Sequence, residues 1–230
     1  MFYLNRKEAR LVVLQRIELI SNFIKKIRKL FGRYIFSNFI SKYFLDTKVI
    51  GQAYYNDMNE EFKKIEKYIN SKNQNFLSIG SGLGGLELII DKKIDVSSFS
   101  FIEKNYVSKK VKYGWDSSNK EAYNDLNIQK KFLIKNGMDS SKLNIFDYDK
   151  DKLPSNKFDI IISLYSLDYH YDFNIYSKYL KKISHNKTKI IFDTIRFNYF
   201  QNVFDKVVVM SERTKNIHSS KRIICSKFLD

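Results

Sequence analysis

Four of the chain's eight glycines fall within six residues, Gly80-Ser81-Gly82-Leu83-Gly84-Gly85. A segment of that composition can turn sharply through positive φ and let a ligand approach the backbone closely. It is not a P-loop, because no Lys-Ser/Thr follows at the required spacing, and it departs from the dinucleotide fingerprint because its third glycine comes one residue early. Glu103 stands 21 residues after Gly82. A carboxylate there can accept hydrogen bonds from two ribose hydroxyls, or it can be a solvated acid beside Lys104. Further along, residues 163–172 (SLYSLDYHYD) form the densest polar-aromatic stretch of the chain. His170 is one of three histidines and suits a general base at neutral pH, with Asp168 or Asp172 to orient it; the alternative is a loop histidine packed on the following helix. Tyr165 and Tyr171 flank this group. Arg196 can hold an anionic acceptor or pair with Asp193 or Asp168.

The elements that would position these residues can be read from hydrophobic periodicity. Phe76–Ile79 is a short apolar run that ends at Gly80, and Leu86–Ile90 resumes as a helix beyond the loop. Further short runs at Phe99–Ile102, Leu143–Phe146, Phe158–Ser163 and Lys189–Asp193 alternate with helical patterns over residues 120–137 and 172–184. The run Phe158–Ser163 has the continuous apolar character of a strand buried on both faces of a parallel sheet. Val207–Met210 and Arg222–Ser226 follow with no room for a helix between them, and predict an antiparallel hairpin. The expectation is a doubly wound, seven-stranded, mostly parallel α/β sheet of Rossmann-like type, with a terminal antiparallel hairpin.

Length and composition bound the rest. The 230 residues suffice for a core without disulfides, and Cys225 is the lone cysteine, so a reducing cytoplasm is the expected compartment. The net charge of +16 arises from 33 Lys and 8 Arg against 25 acids, with 20 Asn and one Pro, a pattern that also fits an AT-rich coding bias. Residues 1–50 carry 11 Lys/Arg and three acids, half of the excess. Val13, Ile17, Ile20, Ile24, Ile27 and Phe31 recur at helical spacing and a second apolar set follows Gly32, so two helices broken near that glycine are expected. The division is therefore a basic helical extension over 1–50 and a catalytic domain over 51–230. The extension either packs on that domain or lies as a basic amphipathic surface on an anionic membrane or a partner. Residues 104–119 place Trp115 with Tyr106 and Tyr113 among four lysines. This loop can stack on a sugar or a base, cover a cofactor, or be a surface loop anchored by one tryptophan.

Over roughly residues 50–230 the sequence resembles class I S-adenosylmethionine-dependent methyltransferases. The resemblance rests on Phe76-Leu-Ser-Ile-Gly-Ser-Gly-Leu-Gly84, on Glu103, on Phe146-Asp147, and on Leu153-Pro154 followed by Phe158-Asp-Ile-Ile-Ile-Ser163. It implies S-adenosylmethionine as cofactor, with Gly80, Ser81, Gly82 and Gly84 around its methionine part, Glu103 on the ribose and Asp147 on the adenine amine. Phe146 or Tyr148 would pack on the adenine face, or be core. A weaker resemblance to small-molecule and sugar O-methyltransferase-like proteins rests on His170-Tyr171 and Arg196, with Tyr165, Tyr171, Arg196 and Trp115 toward the acceptor. Base N-methylation is disfavoured because Ser163-Leu164-Tyr165-Ser166 lacks the Asn/Asp-Pro-Pro-Tyr/Phe element. Cytosine C5-methylation is disfavoured because Cys225 sits in the last strand. No metal site is expected. The leading expectation is O-methylation of a small molecule or glycan. An RNA methyltransferase, a methyltransferase-fold binding protein without catalysis and, behind these, a nicotinamide enzyme are the alternatives.

Overall fold

The computed structural model describes residues 1–69, 72, 74–108, 122–169, 171–212 and 220–229, without side chains at 22, 33, 34, 37 and 38. Seven strands form one sheet: β1 (Gln74–Ile79), β2 (Val96–Glu103), β3 (Leu143–Asp147), β4 (Phe158–Ser163), β5 (Ser184–Thr194), β6 (Phe204–Glu212) and β7 (Lys221–Phe228). Their order is β3-β2-β1-β4-β5-β7-β6. The pairs β1–β2, β1–β4, β2–β3 and β4–β5 are parallel, while β7 runs antiparallel to both β5 and β6. This is the expected doubly wound, seven-stranded Rossmann-like sheet: mostly parallel, closed by an antiparallel end hairpin. The order reverses between β1 and β4, the switch point beyond whose carboxyl ends sheets of this kind bind ligands.

The side-chain period of two sends successive strand residues to opposite faces. Phe76, Phe99, Phe101, Ile160, Ile162 and Ile191 pack on one face with the helices α1 (Arg6–Gln15), α4 (Thr47–Ile65), α5 (Gly85–Lys93) and α6 (Leu126–Lys135). Leu77, Ile79, Ile161, Ile190, Phe192 and Ile223 pack on the other with α7 (Phe173–Ile183) and the short α8 (Phe197–Phe200).

The first fifty residues are built differently from the single stripe of the sequence. Helix α1 begins at an Asn5 capping box, in which the Asn5 side chain accepts from Glu8 N–H and Glu8 accepts from Asn5 N–H. It ends at Arg16, and a 3₁₀ turn over Ile17–Leu19 leads to α2 (Asn22–Ile35). Ser21 Oγ accepts from Ile24 N–H at 3.3 Å, restarting the helix and splitting the apolar series. Gly32, at φ 80° and ψ 170°, breaks α2 at the expected place. A π turn over Phe36–Ile40 and the single turn α3 (Ser41–Tyr43) complete the segment.

Helix α4 runs through the 50/51 boundary. Phe2 N–H donates to Gly51 O, and the Phe2 ring meets Tyr54, Tyr55 and Phe132 at centroid distances of 5.3, 5.3 and 5.5 Å. Tyr3 N–H donates to Asn136 Oδ1 at 2.8 Å and Glu8 pairs with Lys135. Phe2, Leu11, Val12, Val13 and Leu14 are buried as deeply as the strands. The start of the basic segment is therefore part of the core, whereas residues 23–49 lie over it and send only Phe36 and Ile40, among the described apolar side chains, fully into it.

Candidate functional site

Strand β1 delivers the chain to Gly80, whose N–H still bonds to Ile102 O at 3.0 Å across the sheet. Gly80 and Gly82 then adopt φ of 69° and 64°, where a side chain is strained. A methyl at Gly80 would stand 2.0 Å from Ser166 Oγ, and one at Gly82 would stand 2.3 Å from Gln15 Oε1. The loop is thus approached from the β4–α7 connection on one side and from the end of α1 on the other. Gly84, left-handed at φ 82°, caps α5.

Glu103 ends β2 beside this loop. It is 8% exposed, and its Oε1 accepts from Ser81 Oγ at 2.9 Å and Gly82 N–H at 2.7 Å. Burial pushes its carboxyl up to about 8; the hydrogen bonds from Ser81, Gly82 and Asn124 oppose that rise, and the nearby Glu87 adds to it. Around it, Gln129 Nε2 donates to Ser81 Oγ at 3.1 Å and Asn124 Nδ2 to Gly82 O at 2.9 Å. Under the loop, Glu87 Oε1 accepts from Ser78 Oγ at 2.5 Å, while the buried Oε2 has no hydrogen-bond partner among the described residues. Desolvation raises the pKa of Glu87 as well.

Asp147 lies directly across from Glu103 in the β2–β3 register, so the two carboxylates stand side by side at the strand ends. Asp147 Oδ1 accepts from Asp149 N–H at 3.1 Å, and Lys150 Nζ is 3.7 Å from Oδ2. Phe146, one residue earlier, points to the opposite face and packs into the α7 side of the core. Tyr148 meets Tyr176 at 5.5 Å and lies under Lys104.

On the other side of β1, Ser163 Oγ donates to Ile79 O at 2.7 Å and accepts from Leu167 N–H at 2.9 Å, tying the end of β4 to β1. The chain then turns through two left-handed non-glycine residues, Tyr165 and Asp168, both at φ 59°. Each costs of order 1–3 kcal/mol, a strain that concentrates at ligand sites. The Tyr165 ring has the Arg16 guanidinium at 5.5 Å and that of Arg222 at 5.6 Å, and Tyr169 meets it edge-on. Arg222 Nη2 donates to Tyr165 Oη at 3.2 Å.

Arg222, 2% exposed, forms a forked pair with Asp193 at 3.1 Å through Nε and Nη2 and a second pair with Glu61 of α4. One cation faces two buried carboxylates. Burial alone would raise Glu61, but Arg222 and Lys64 outweigh it and hold the carboxyl well below the usual range. Burial prevails at Asp193 and raises its pKa.

Arg196 binds Asp168 through Nη2 and, at 3.1 Å, through Nε, and Asp172 at 3.2 Å. The Asp168 hydrogen bonds raise its pKa further. Asp168 also accepts from Thr194 Oγ1 at 2.5 Å, and Asp172 accepts from Asn174 N–H to cap α7. Of the partners open to Arg196, the structure selects Asp168. The carboxylates considered for orienting a histidine are thus bonded to an arginine, a threonine and a helix end. Tyr171 bridges back to Leu167, and its hydroxyl titrates above its normal range through burial and the charge of Glu103. His170 and Trp115 lie outside the described residues.

The structure brings Gly80, Ser81, Gly82, Gly84, Glu103 and Asp147 together at one end of the sheet, with Tyr165, Asp168 and Tyr171 on the adjoining turn and Arg196 reaching Asp168 from the end of β5. It adds Gln15, Arg16, Glu87, Asn124, Gln129, Asp193 and Arg222. Asp193 and Arg222 carried a signal, since one closes and the other opens a predicted strand of the terminal arrangement, and they face each other in register. Gln15 and Arg16 carried none, because only tertiary packing brings α1 to the loop. A cavity of about 460 Å³ lined by Asn5, Arg6, Glu8, Ile128 and Lys131 opens at the other end of α1 from Gln15, away from these groups.

Neither a protein-family profile nor a curated protein sequence matches the chain. Solved structures do match, at low identity. A Nostoc punctiforme protein provisionally assigned as an O-methyltransferase shares 10% identity at a TM-score of 0.49, over 77% of this chain and 61% of its own. A conserved hypothetical protein of Streptococcus pyogenes shares 13% at 0.49, over 74% of this chain and 94% of its own. A Haloferax volcanii chain, solved with a methyltransferase activator and provisionally assigned as a methyltransferase, shares 8% at 0.49, over 77% and 94%. The match thus spans less than two thirds of the Nostoc chain.

Proposed function

We propose that this chain is an S-adenosylmethionine-dependent methyltransferase that methylates a hydroxyl of a small molecule or glycan. Glu103 carries this reading. A carboxyl held buried at the end of β2, raised to about 8 and bonded to the glycine loop and Asn124, costs the ligand-free protein stability. Hydroxyl donors of a ribose would compensate that cost, and Asp147 in register beside it would accept from an adenine amine. The loop fits the same ligand, because the side of Gly82 is closed by the movable end of Gln15 and not by backbone.

Bound there, S-adenosylmethionine supplies an electrophilic methyl group on a sulfonium sulfur. The chain's own residues would do the remaining work. Ser81 and Gly82 would release Glu103 to the ligand. The strained Tyr165, between Arg16 and Arg222, and Tyr171 would wall the acceptor side and exclude water. Arg196, fixed by Asp168 and Asp172, would present its remaining N–H donors to the acceptor. His170, between Tyr169 and Tyr171 in sequence, would take the acceptor proton, and His170→Ala should lower turnover by about 10²–10⁴-fold with cofactor affinity unchanged.

Titration calorimetry with S-adenosylmethionine and its demethylated product tests the reading. Micromolar binding of both is expected, weakened by roughly 1.5–3 kcal/mol in Glu103→Ala. Absence of heat with either ligand at millimolar concentration would overturn it.

A further inference from the structure

Residues 23–49 present a surface that the core does not use. Eight of the seventeen large apolar side chains exposed among the described residues fall in these 27 positions. Phe23, Leu30 and Phe44 are 71%, 78% and 61% exposed, and Phe31, Phe39 and Tyr43 are more than half exposed. Phe39 gathers Tyr43 and Phe44 at centroid distances of 5.3 and 5.7 Å. These side chains are firmly mounted. Phe36 and Ile40 are buried beneath them, and Ile24 and Ile27 pack against the core from α2. The segment therefore has an inner apolar face that holds it to the protein and an outer apolar face left over.

The charge of the same stretch is one-sided. From residue 19 to residue 45 there is no acid and six Lys/Arg are present, and Asp46 and Lys48 add one charge of each sign at the end of the stretch. Lys26, Lys29 and Lys42 are exposed among the outward aromatics. No helix among the described residues is long and apolar enough to cross a membrane.

We propose that residues 23–49 dock the protein on the surface of an anionic lipid bilayer, with Phe23, Leu30, Phe31 and Phe44 entering the headgroup boundary and the lysines pairing with lipid phosphates and carboxylates. Aromatic side chains favour that boundary, and a basic helix with an apolar outer face lies in it. Charge complementarity selects this occupant. A second copy of the chain would set six cations against six, and like charges at an interface oppose association. RNA would satisfy the lysines, but nucleic-acid interfaces are polar and leave aliphatic groups such as Leu30 and Ile35 without a partner. The proposal is independent of what the glycine loop binds.

Sedimentation of the full chain with phospholipid vesicles tests it. Vesicles of phosphatidylcholine containing about one-third phosphatidylserine should bring the protein down, neutral phosphatidylcholine vesicles should not, and salt should release it. Reversing three charges in Lys26→Glu/Lys29→Glu/Lys42→Glu should weaken binding by about a hundredfold or more. Phe23→Ser/Leu30→Ser/Phe44→Ser should weaken it by about tenfold or more, with the melting temperature held because these side chains are exposed. Failure to sediment with the anionic vesicles overturns the proposal. So does a light-scattering dimer that the Phe23/Leu30/Phe44 variant dissolves, or capture of a short single-stranded RNA by these residues without vesicle binding.

Discussion

Replacing Glu103 with glutamine should make the ligand-free protein more stable at pH 8 while loosening its grip on a ribose-bearing ligand. A glutamate carboxyl titrates near 4.5 when unfolded and near 8 in this fold, raised chiefly by burial. The folded state then binds more protons than the unfolded state between those values, so stability is fullest below pH 4.5 and declines as pH rises through 8. With glutamine as a stand-in for the protonated acid, the wild-type penalty is about 1 kcal/mol at pH 5 and about 4 kcal/mol at pH 8. The glutamine oxygen can still accept from Gly82 N–H and Ser81 Oγ, so the shape of the loop is kept. Urea unfolding at pH 5, 6.5 and 8 should show the variant gaining on wild type by about 3 kcal/mol across that range. Calorimetry on the same proteins should show the variant binding S-adenosylmethionine more weakly. Wild-type binding should release a proton near pH 7, because ligand hydroxyls favour the carboxylate. Superimposable pH–stability curves for the two proteins would refute the buried-charge reasoning. Equal ligand affinities would refute the ribose assignment while leaving the stability result standing.

Arg222→Met strands Glu61 and Asp193 in the interior and should cost about 3–5 kcal/mol in urea unfolding, with partial recovery when Glu61→Gln and Asp193→Asn are added. Gly82→Ala forces a side chain to φ 64° against Gln15 and should cost about 1–2 kcal/mol of stability; adding Gln15→Ala should relieve the contact but not the backbone strain. Removal of residues 1–50 uncovers Tyr54, Met58 and Phe132, and the remaining chain should lose its cooperative thermal transition, as differential scanning calorimetry would show.

The sheet was legible because its strands are interior. Phe158–Ser163 is apolar at four of its six positions, three of them the consecutive Ile160–Ile162, and the glycine cluster falls between a strand and a helix, where a turn is obligatory. Glu103 was legible because it ends such a run, and Asp147 through the family resemblance, which implies an acid after the third strand. The segment before residue 50 was only half legible. Its apolar stripe foretold helices and the break at Gly32, but a stripe records that a residue is apolar and not whether the protein or something else covers it. Val13 and Phe31 belong to one periodic series, yet Val13 is fully buried and Phe31 is 53% exposed. The turn at Ser21 separates their fates. The role of Asp168 was open for a different reason: Arg196 lies 28 residues away, and only the alignment of β4 with β5 decides that they meet.

The Arg222 cluster also constrains the order in which the protein can be completed during synthesis. Strand β7 lies between β5 and β6, so the sheet keeps a gap until the last strand is made. Glu61 and Asp193 are translated first and wait for the buried cation they share, Glu61 for 161 residues with the half-exposed Lys64 as its partner meanwhile. At roughly 5–20 residues per second that wait lasts on the order of 8–30 seconds. Until Arg222 arrives, burying these acids lacks its main compensation, which disfavours the settling of α4 on the β5 side of the sheet. The native packing of the first half of the chain is thereby made conditional on the arrival of the second, and a ribosome-bound intermediate should remain open on this face until residue 222 has cleared the exit tunnel.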